Sequence, residues 1–329
     1  MSTRPLSGFV RLTAAAVTLV ASAAHAYPVP TLTAQGIALG FTLNTVVTLS
    51  DFGGSYDVLG SAVNSDGNII VNVAREGKNY VFKNLNNQTA ADALGSVSFG
   101  GFASALAYAN GSVWASANGG SLAKLNNDGS VAQTYSNIRA NQGMWTNPVT
   151  GHLMAGNPLI DIDVSGATPT ATTVTSDFFA DGITVSPDGK LVYGSYGAIV
   201  DLTTMASVGS FGSVSGADGM GVISSSNPSL DGDIIVNTTT GNIVLVDHVT
   251  FEQTLIASGG GYGDYTSPDR TTGTLLLSSS NNLLRLGCGP ECGVGAPPPP
   301  TPAIPEPETY ALMMAGLGLL GLVARRRRR

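Results

Sequence analysis

Charge is what this chain has least of. Only 11% of its 329 residues are Asp, Glu, Lys or Arg, against about 25% in an ordinary soluble domain. Histidine is almost missing, with His25, His152 and His248 alone. That scarcity, with no H-E-x-x-H pattern, no G-x-S-x-G elbow and no phosphate loop, leaves the usual hydrolase and nucleotide-binding motifs without a foothold. Aromatic residues make up 7% of the chain, with two Trp. There are two cysteines, too few for a disulfide framework and, with no nearby His, a poor zinc site. No strong helical period runs through the body of the chain, which argues against a helical fold.

What is present begins at the N-terminus. Arg4 and Arg11 precede an apolar run from Leu12 to Ala24, and Ala24-His25-Ala26 has the small-residue spacing of a cleavage site. Residues 1–26 read as a secretory signal peptide, too short to be an anchor helix. Residues 27–36 form a lead-in. Two of the fifteen basic residues lie in the signal peptide and five at the C-terminus. Eight therefore remain between Tyr27 and Ile304, against twenty acidic ones, for a net charge of −12. Such a surface repels nucleic acid, and anionic polysaccharide unless a cation bridges.

The body, residues 37–287, carries internal repeats. Six turns pair Asn, Asp or Pro with a following Gly: Asp66-Gly67, Asn110-Gly111, Pro148 to Gly151, Asp188-Gly189, Asp231-Gly232 and Pro268 to Gly273. This is the chemistry of hairpin loops that need positive φ. Flanking stretches rich in Val, Ile, Leu and Tyr read as strands. Aligning the first strands at Ser61, Ala105, Gly143, Gly182, Gly219 and Gly263 gives a period near 40, that of a four-stranded propeller blade. The expected fold is all-β, a six-bladed β-propeller. A seventh blade fits if Gly36 to Asp57 is a poorly matched unit. A β-helix, with coils nearer 20 residues, and a β-sandwich, with no such repeat, are the alternatives. The strand Phe41 to Leu49 is placed to close the ring on the last blade. Ser186-Pro187-Asp188-Gly189-Lys190-Leu191-Val192-Tyr193 resembles the repeat of YVTN and NHL-type propellers, and this unit alone does so closely.

Residues 288–304 hold Cys288 and Cys292, spaced for a small disulfide loop in an oxidising compartment, and then Pro297 to Pro300 and Pro302, a stiff spacer. Residues 305–329 follow: Pro305-Glu306-Pro307, an uncharged run from Tyr310 to Ala324, then Arg325, Arg326, Arg327, Arg328 and Arg329. The run, with Tyr310, Leu312, Leu317, Leu320 and Val323 among its apolar residues, forms a short membrane helix of roughly 22 Å at about 1.5 Å per residue. The arginines hold its end in the cytoplasm, so the rest of the chain lies outside. These three parts in order resemble the PEP-CTERM sorting signal, a tail also labelled an ice-binding protein C-terminal domain without any implication of ice binding. The resemblance implies an exosortase partner that recognises the tail in the inner membrane and cleaves near it. It implies transient anchoring facing the periplasm, then passage to the cell surface or extracellular matrix.

For activity the body offers only candidates. First strands of a propeller line its channel. Gln142, Asp181, Asp218 and Asp264 stand near the starts of successive first strands, where they converge on one channel mouth if the register holds. The three acids could hold a hard cation such as calcium; equally, they could cap turns. Asp66, Asp128, Asp188 and Asp231 are explained by turn chemistry alone. His152 and His248 follow no shared repeat position. Trp145 and Tyr265 sit in or near first strands, as inter-blade packing or as a sugar contact. Two functions follow: a non-enzymatic surface or matrix-binding module with no catalytic residue and no required cofactor, or a metal-dependent lactonase or hydrolase with a channel-centred cation.

Overall fold

All six turn glycines adopt left-handed backbone, with Gly67, Gly111, Gly151, Gly189, Gly232 and Gly273 at φ between 69 and 87°. Each therefore closes a tight connection between the first and second strand of one unit. The computed structural model describes residues 27–49, 57–117, 120–225 and 227–288. The signal peptide with Ala24 and Ala26, Cys292, the proline spacer and the tail from Pro305 to Arg329 lie outside the described residues. Among the described residues no helix is long and apolar enough to cross a membrane.

The strands form six separate sheets. Blade one runs Val58–Val63, Ile69–Val73, Lys78–Phe82 and Gly95–Ser98; blade two Ala103–Ala109, Ser112–Ala117, Ser121–Leu125 and Val131–Arg139. Blade three is Asn141–Thr146, Leu153–Gly156, Leu159–Asp163 and Thr170–Thr175; blade four Ile183–Val185, Leu191–Gly194, Ala198–Asp201 and Ala206–Ser210. Blade five is Ala217–Val222, Ile234–Thr238, Ile243–Val246 and Gln253–Ser258. Blade six has three strands of its own, Thr266–Asp269, Thr274–Ser279 and Asn282–Gly287, and takes its fourth, Thr42–Thr48, from the N-terminus. That strand pairs antiparallel with the last one, Thr42 opposite Gly287 and Thr48 opposite Asn282. The protein is a six-bladed β-propeller closed by its N-terminal strand, which removes the free edges of an open ring.

Gly36 to Asp57 is not a seventh blade. Its described part supplies Thr42–Thr48 to blade six. Ahead of it, Thr31–Leu32 adds an edge strand to blade five. The helix Ala34–Ala38 follows, its start capped by the Thr33 hydroxyl accepting from the Gly36 N–H at 3.0 Å. The folded body thus begins at Thr31, ahead of the boundary at 37.

Burial follows the wedge shape of a blade. Inner strands are covered on both faces: every residue of Val58–Val63 and of Ile234–Thr238 is buried. Outer strands meet water, and Ala206–Ser210 is exposed throughout. An apolar cluster fills the space between neighbouring blades. Trp114, Leu122, Met144 and Leu153 lie between blades two and three; Tyr193, Ile199, Met220 and Val236 lie between four and five. Trp145 is buried within such a cluster, so it packs blades together and offers no face to a ligand. The seam where the ring closes is also tied by polar contacts. Arg270 stacks 3.6 Å from the centre of the Tyr108 ring and donates to the Asn64 carbonyl at 2.8 Å. Cys288, just past the last strand, is buried and disulfide-bonded.

Candidate functional site at the channel mouth

One position in each blade faces the axis at the channel mouth. In chain order these are Leu59, Ser104, Gln142, Asp181, Asp218 and Asp264, and all six line a single cavity of about 400 Å³. Two devices put them there. In blades one, two, three and five the inner strand is bulged where the lining residue sits: the ladder skips between Val58 and Ser61, Ala103 and Ala105, Asn141 and Met144, and Ala217 and Gly219. A bulge turns a side chain away from its regular direction, here toward the axis. In blades four and six the lining residue precedes the strand, and a serine at or just past the end of the second strand holds the backbone. The Ser195 hydroxyl accepts from the N–H groups of Asp181 and Gly182 at 3.1 and 3.3 Å. The Ser278 hydroxyl accepts from Asp264 and Tyr265 at 3.2 and 2.7 Å.

The next position around the ring is equally consistent: Gly60, Ala105, Gly143, Gly182 and Gly219, then Tyr265. The first five are small because the neighbouring blade comes very close. A Cβ on Gly182 would run into the Asp218 carbonyl oxygen, and one on Gly219 into that of Asp264. Gly182→Ala must therefore move backbone, not a side-chain tip. It is expected to cost about 1–3 kcal/mol, read as a melting temperature lower by roughly 2–9 °C; an unchanged melt would remove the close approach from this account. Tyr265, the sixth, is the one large residue at this position. Its ring crosses the channel from blade six, and its hydroxyl donates to the Leu106 carbonyl of blade two and the Met144 carbonyl of blade three. It is the floor of the cavity.

The acids sit on one side of the ring, on blades four, five and six. Asp181 accepts from the Tyr196 hydroxyl at 2.5 Å, and Asp218 from Tyr262 at 3.4 Å. The Asp264 carboxylate accepts no hydrogen bond from any described residue. Burial, then the charges of Asp264 and Asp181, pushes Asp218 up to about 8. Burial, then the charge of Asp181, pushes Asp264 up to about 7. The pair therefore shares protons near neutral pH and does not stand fully ionised. The Tyr196 hydroxyl, held on Asp181, is pushed up to about 12. The rim is aromatic: Phe102 and Tyr262 line the cavity, and exposed Phe179 stacks on Tyr196 with ring centres 5.6 Å apart. A second hollow of about 290 Å³ adjoins the first, sharing Phe102, Ser104 and Gln142 and adding Asn141 and Asn157. Gln142 and Asn157 are both left-handed, at φ 59 and 66°, a costly backbone for a non-glycine residue that tends to gather at functional sites.

Gln142, Asp181, Asp218 and Asp264 thus meet at one mouth, as their spacing suggests. Among the described residues, however, no three His, Cys, Asp or Glu side chains form a group that could hold a metal ion. The described histidines are elsewhere. His152 Nδ1 lies 2.8 Å from Asp161 and its Nε2 3.7 Å from Asp163; His248 Nδ1 lies 2.9 Å from Asp233. Asp128 and Asp188 serve turns, accepting from Ser130 and Lys190 N–H groups at 2.9 and 3.1 Å. Leu59, Ser104, Phe102 and Tyr262 escape the sequence reading. Ser104 was within reach of it, since it immediately precedes Ala105 at the repeat position, whereas Leu59 was not, because the bulge in blade one moves that position from Ser61 to Gly60. Phe102 and Tyr262 lie in connections whose course no repeat reveals.

Residues 303–329 match the PEP-CTERM protein-sorting motif. No curated protein matches the chain. Many solved chains are similar in shape, two of them as follows. One is the dihydro-heme d1 dehydrogenase NirN in complex with DHE, 18% identical, TM-score 0.44, covering 69% of this chain and 52% of that one. The other is a chain of the Mitotic Checkpoint Complex, 12% identical, TM-score 0.47, covering 70% and 76%. The chain spans about half the length of the NirN chain. Neither likeness bears on the chemistry of the channel mouth.

Proposed function

We propose that this exosortase substrate carries a propeller that acts as a non-enzymatic binding module at the cell surface or in the extracellular matrix, with the channel mouth as its ligand site. The sorting motif at residues 303–329 implies export, transient membrane anchoring and processing by an exosortase. The observation that supports the binding reading is the cavity: all six blades contribute one side chain to it, and Tyr265 closes its floor. A pocket of this size with convergent polar groups is where a small ligand or one unit of a polymer binds. The described histidines are bonded to carboxylates away from it, which supplies no His general base at the mouth.

A second reading has one observation in its favour. Three carboxylates line one cavity, as a metal-dependent lactonase or hydrolase with a channel-centred calcium ion would need. The purified propeller, screened on a glycan array and against lactones with calcium present, separates the two. Glycan binding without turnover supports the binding module. Lactone turnover lost in Asp181→Asn, with a calcium-dependent rise in melting temperature, overturns it. For sorting, replacing Pro305-Glu306-Pro307 with alanines is expected to leave the chain in the inner-membrane fraction of its host. Release of an unchanged shortened product would count against an exosortase.

A further inference from the structure

The channel mouth has an electrostatic deficit that the protein does not correct. Asp181, Asp218 and Asp264 face one cavity, and among the described residues no Lys, Arg or His lines it. Asp264 is half-buried in the wall and lines the cavity, and its carboxylate has no hydrogen-bond partner among the described residues. A carboxylate partly withdrawn from water without a partner is costly, so this one marks the place of a missing donor. Among the described residues no three acids form a group that could hold a metal ion. A larger cation, able to reach separate carboxylates through directed hydrogen bonds, suits such a set. An ammonium group has three such donors, and its bonds to carboxylates are charge-assisted.

The rest of the surroundings select what carries the ammonium. Phe102, exposed at the rim, offers a ring face that attracts a cation and covers the apolar face of a sugar. The adjoining hollow is lined by Ser104, Gln142, Asn141 and Asn157, neutral groups that both donate and accept, as hydroxyls require. A net charge of −12 across residues 27–304 draws a cation in and turns an anion away. We infer that the channel mouth binds an amino sugar, its ammonium among Asp181, Asp218 and Asp264 and its hydroxyl-bearing ring against Phe102, Ser104 and Gln142. This rests on the reading of the mouth as a ligand site and narrows it to one chemical class.

The ligand's charge then neutralises the acids, and binding draws protons off Asp218 and Asp264. Affinity should peak near neutral pH. Below it the acids hold their protons, and above it the sugar amine loses its own. The test is titration calorimetry of the purified propeller with glucosamine, glucose, N-acetylglucosamine and cadaverine. At pH 7.5, glucosamine is expected to bind at least about tenfold more tightly than any of the others, a gap of about 1.4 kcal/mol, and at least about fivefold more weakly at pH 5.5. Asp218→Asn, which should fold, is expected to lose at least about tenfold. Glucose or N-acetylglucosamine binding as tightly as glucosamine removes the ammonium while leaving a ligand site. Cadaverine binding as tightly removes the sugar. No binding of glucosamine, or affinity indifferent to Asp218→Asn, overturns the inference. If no compound on the glycan array binds either, the ligand-site reading falls with it.

Discussion

A chain lacking residues 27–49 is expected to lose its cooperative unfolding transition altogether. Those residues include the fourth strand of blade six, and with it Phe41, Val46, Val47 and Leu49, none more than 4% exposed. At about 1.5–3 kcal/mol for each fully buried large side chain, their loss amounts to roughly 6–12 kcal/mol. That is comparable to the whole stability of an ordinary domain, about 5–15 kcal/mol. The lost ladder adds to it, because Asn282–Gly287 pairs with Thr42–Thr48 along its full length and would become a bare edge, prone to pairing with another chain. The expected product is aggregated or unfolded. Circular dichroism melting and size-exclusion chromatography decide it, and a monomer with a sharp melt would show that the ring closes without this strand. A peptide of residues 40–49 added in trans should restore part of the transition, since the interface it enters is already shaped.

The second large effect is a stabilising one. Asp218→Asn should raise the melting temperature of the ligand-free protein at pH 8 by about 5 °C, and by little or nothing at pH 5. Asp218 and Asp264 bind protons more tightly in the folded ring than in the unfolded chain, because burial and neighbouring carboxylates disfavour their charge. A carboxyl raised in this way contributes stability that is whole below the unfolded value near 4. That contribution is lost as pH climbs through the folded values, about 7 and 8. Wild-type protein should therefore melt at progressively lower temperature from pH 5 to pH 8. Asparagine keeps the shape and carries no charge, so the slope should shrink. One pK unit is worth about 1.4 kcal/mol. The shift spans several units, but solvent reaching the acids through the open mouth reduces the gain to roughly 2 kcal/mol. For a domain of this size that is about 5 °C. A wild-type melting temperature that does not fall between pH 5 and pH 8 would show that the three acids do not crowd one another. Added glucosamine should flatten the wild-type slope at neutral pH, since its ammonium would supply the missing counter-charge.

These carboxylates illustrate how far the chain could be read in advance. The turns were legible because a glycine at positive φ leaves a local mark, and each of the six marked glycines has that conformation. The blade period followed from the spacing of those turns. The closing strand was legible too, since an apolar strand before the first repeat has the open last blade as its natural partner. The register inside the ring was not. Ser61 and Gly263 mark the expected repeat position, whereas the structure aligns Gly60 and Tyr265 with Gly143, Gly182 and Gly219. Bulges displace the count in blade one. In blade six the position carries the largest side chain of the ring, not the smallest, and a search for similarity passes over it.

The sequence by itself determined the local geometry and the two ends of the argument: where hairpins turn, how many there are, how the last blade is completed, and that the tail carries a sorting motif. Each depends on residues close together in the chain, or on a count. Only the tertiary structure decided what the centre of the ring can do. Tyr265 spans the channel because the Leu106 and Met144 carbonyls of blades two and three stand within reach of its hydroxyl. Asp218 holds its proton near neutral pH because the closed ring buries it and because Asp264 and Asp181, from the blades on either side, share its cavity. Size and charge at such positions gain meaning only from what stands across a few ångströms of space, and the chain brings those partners together only when the ring closes.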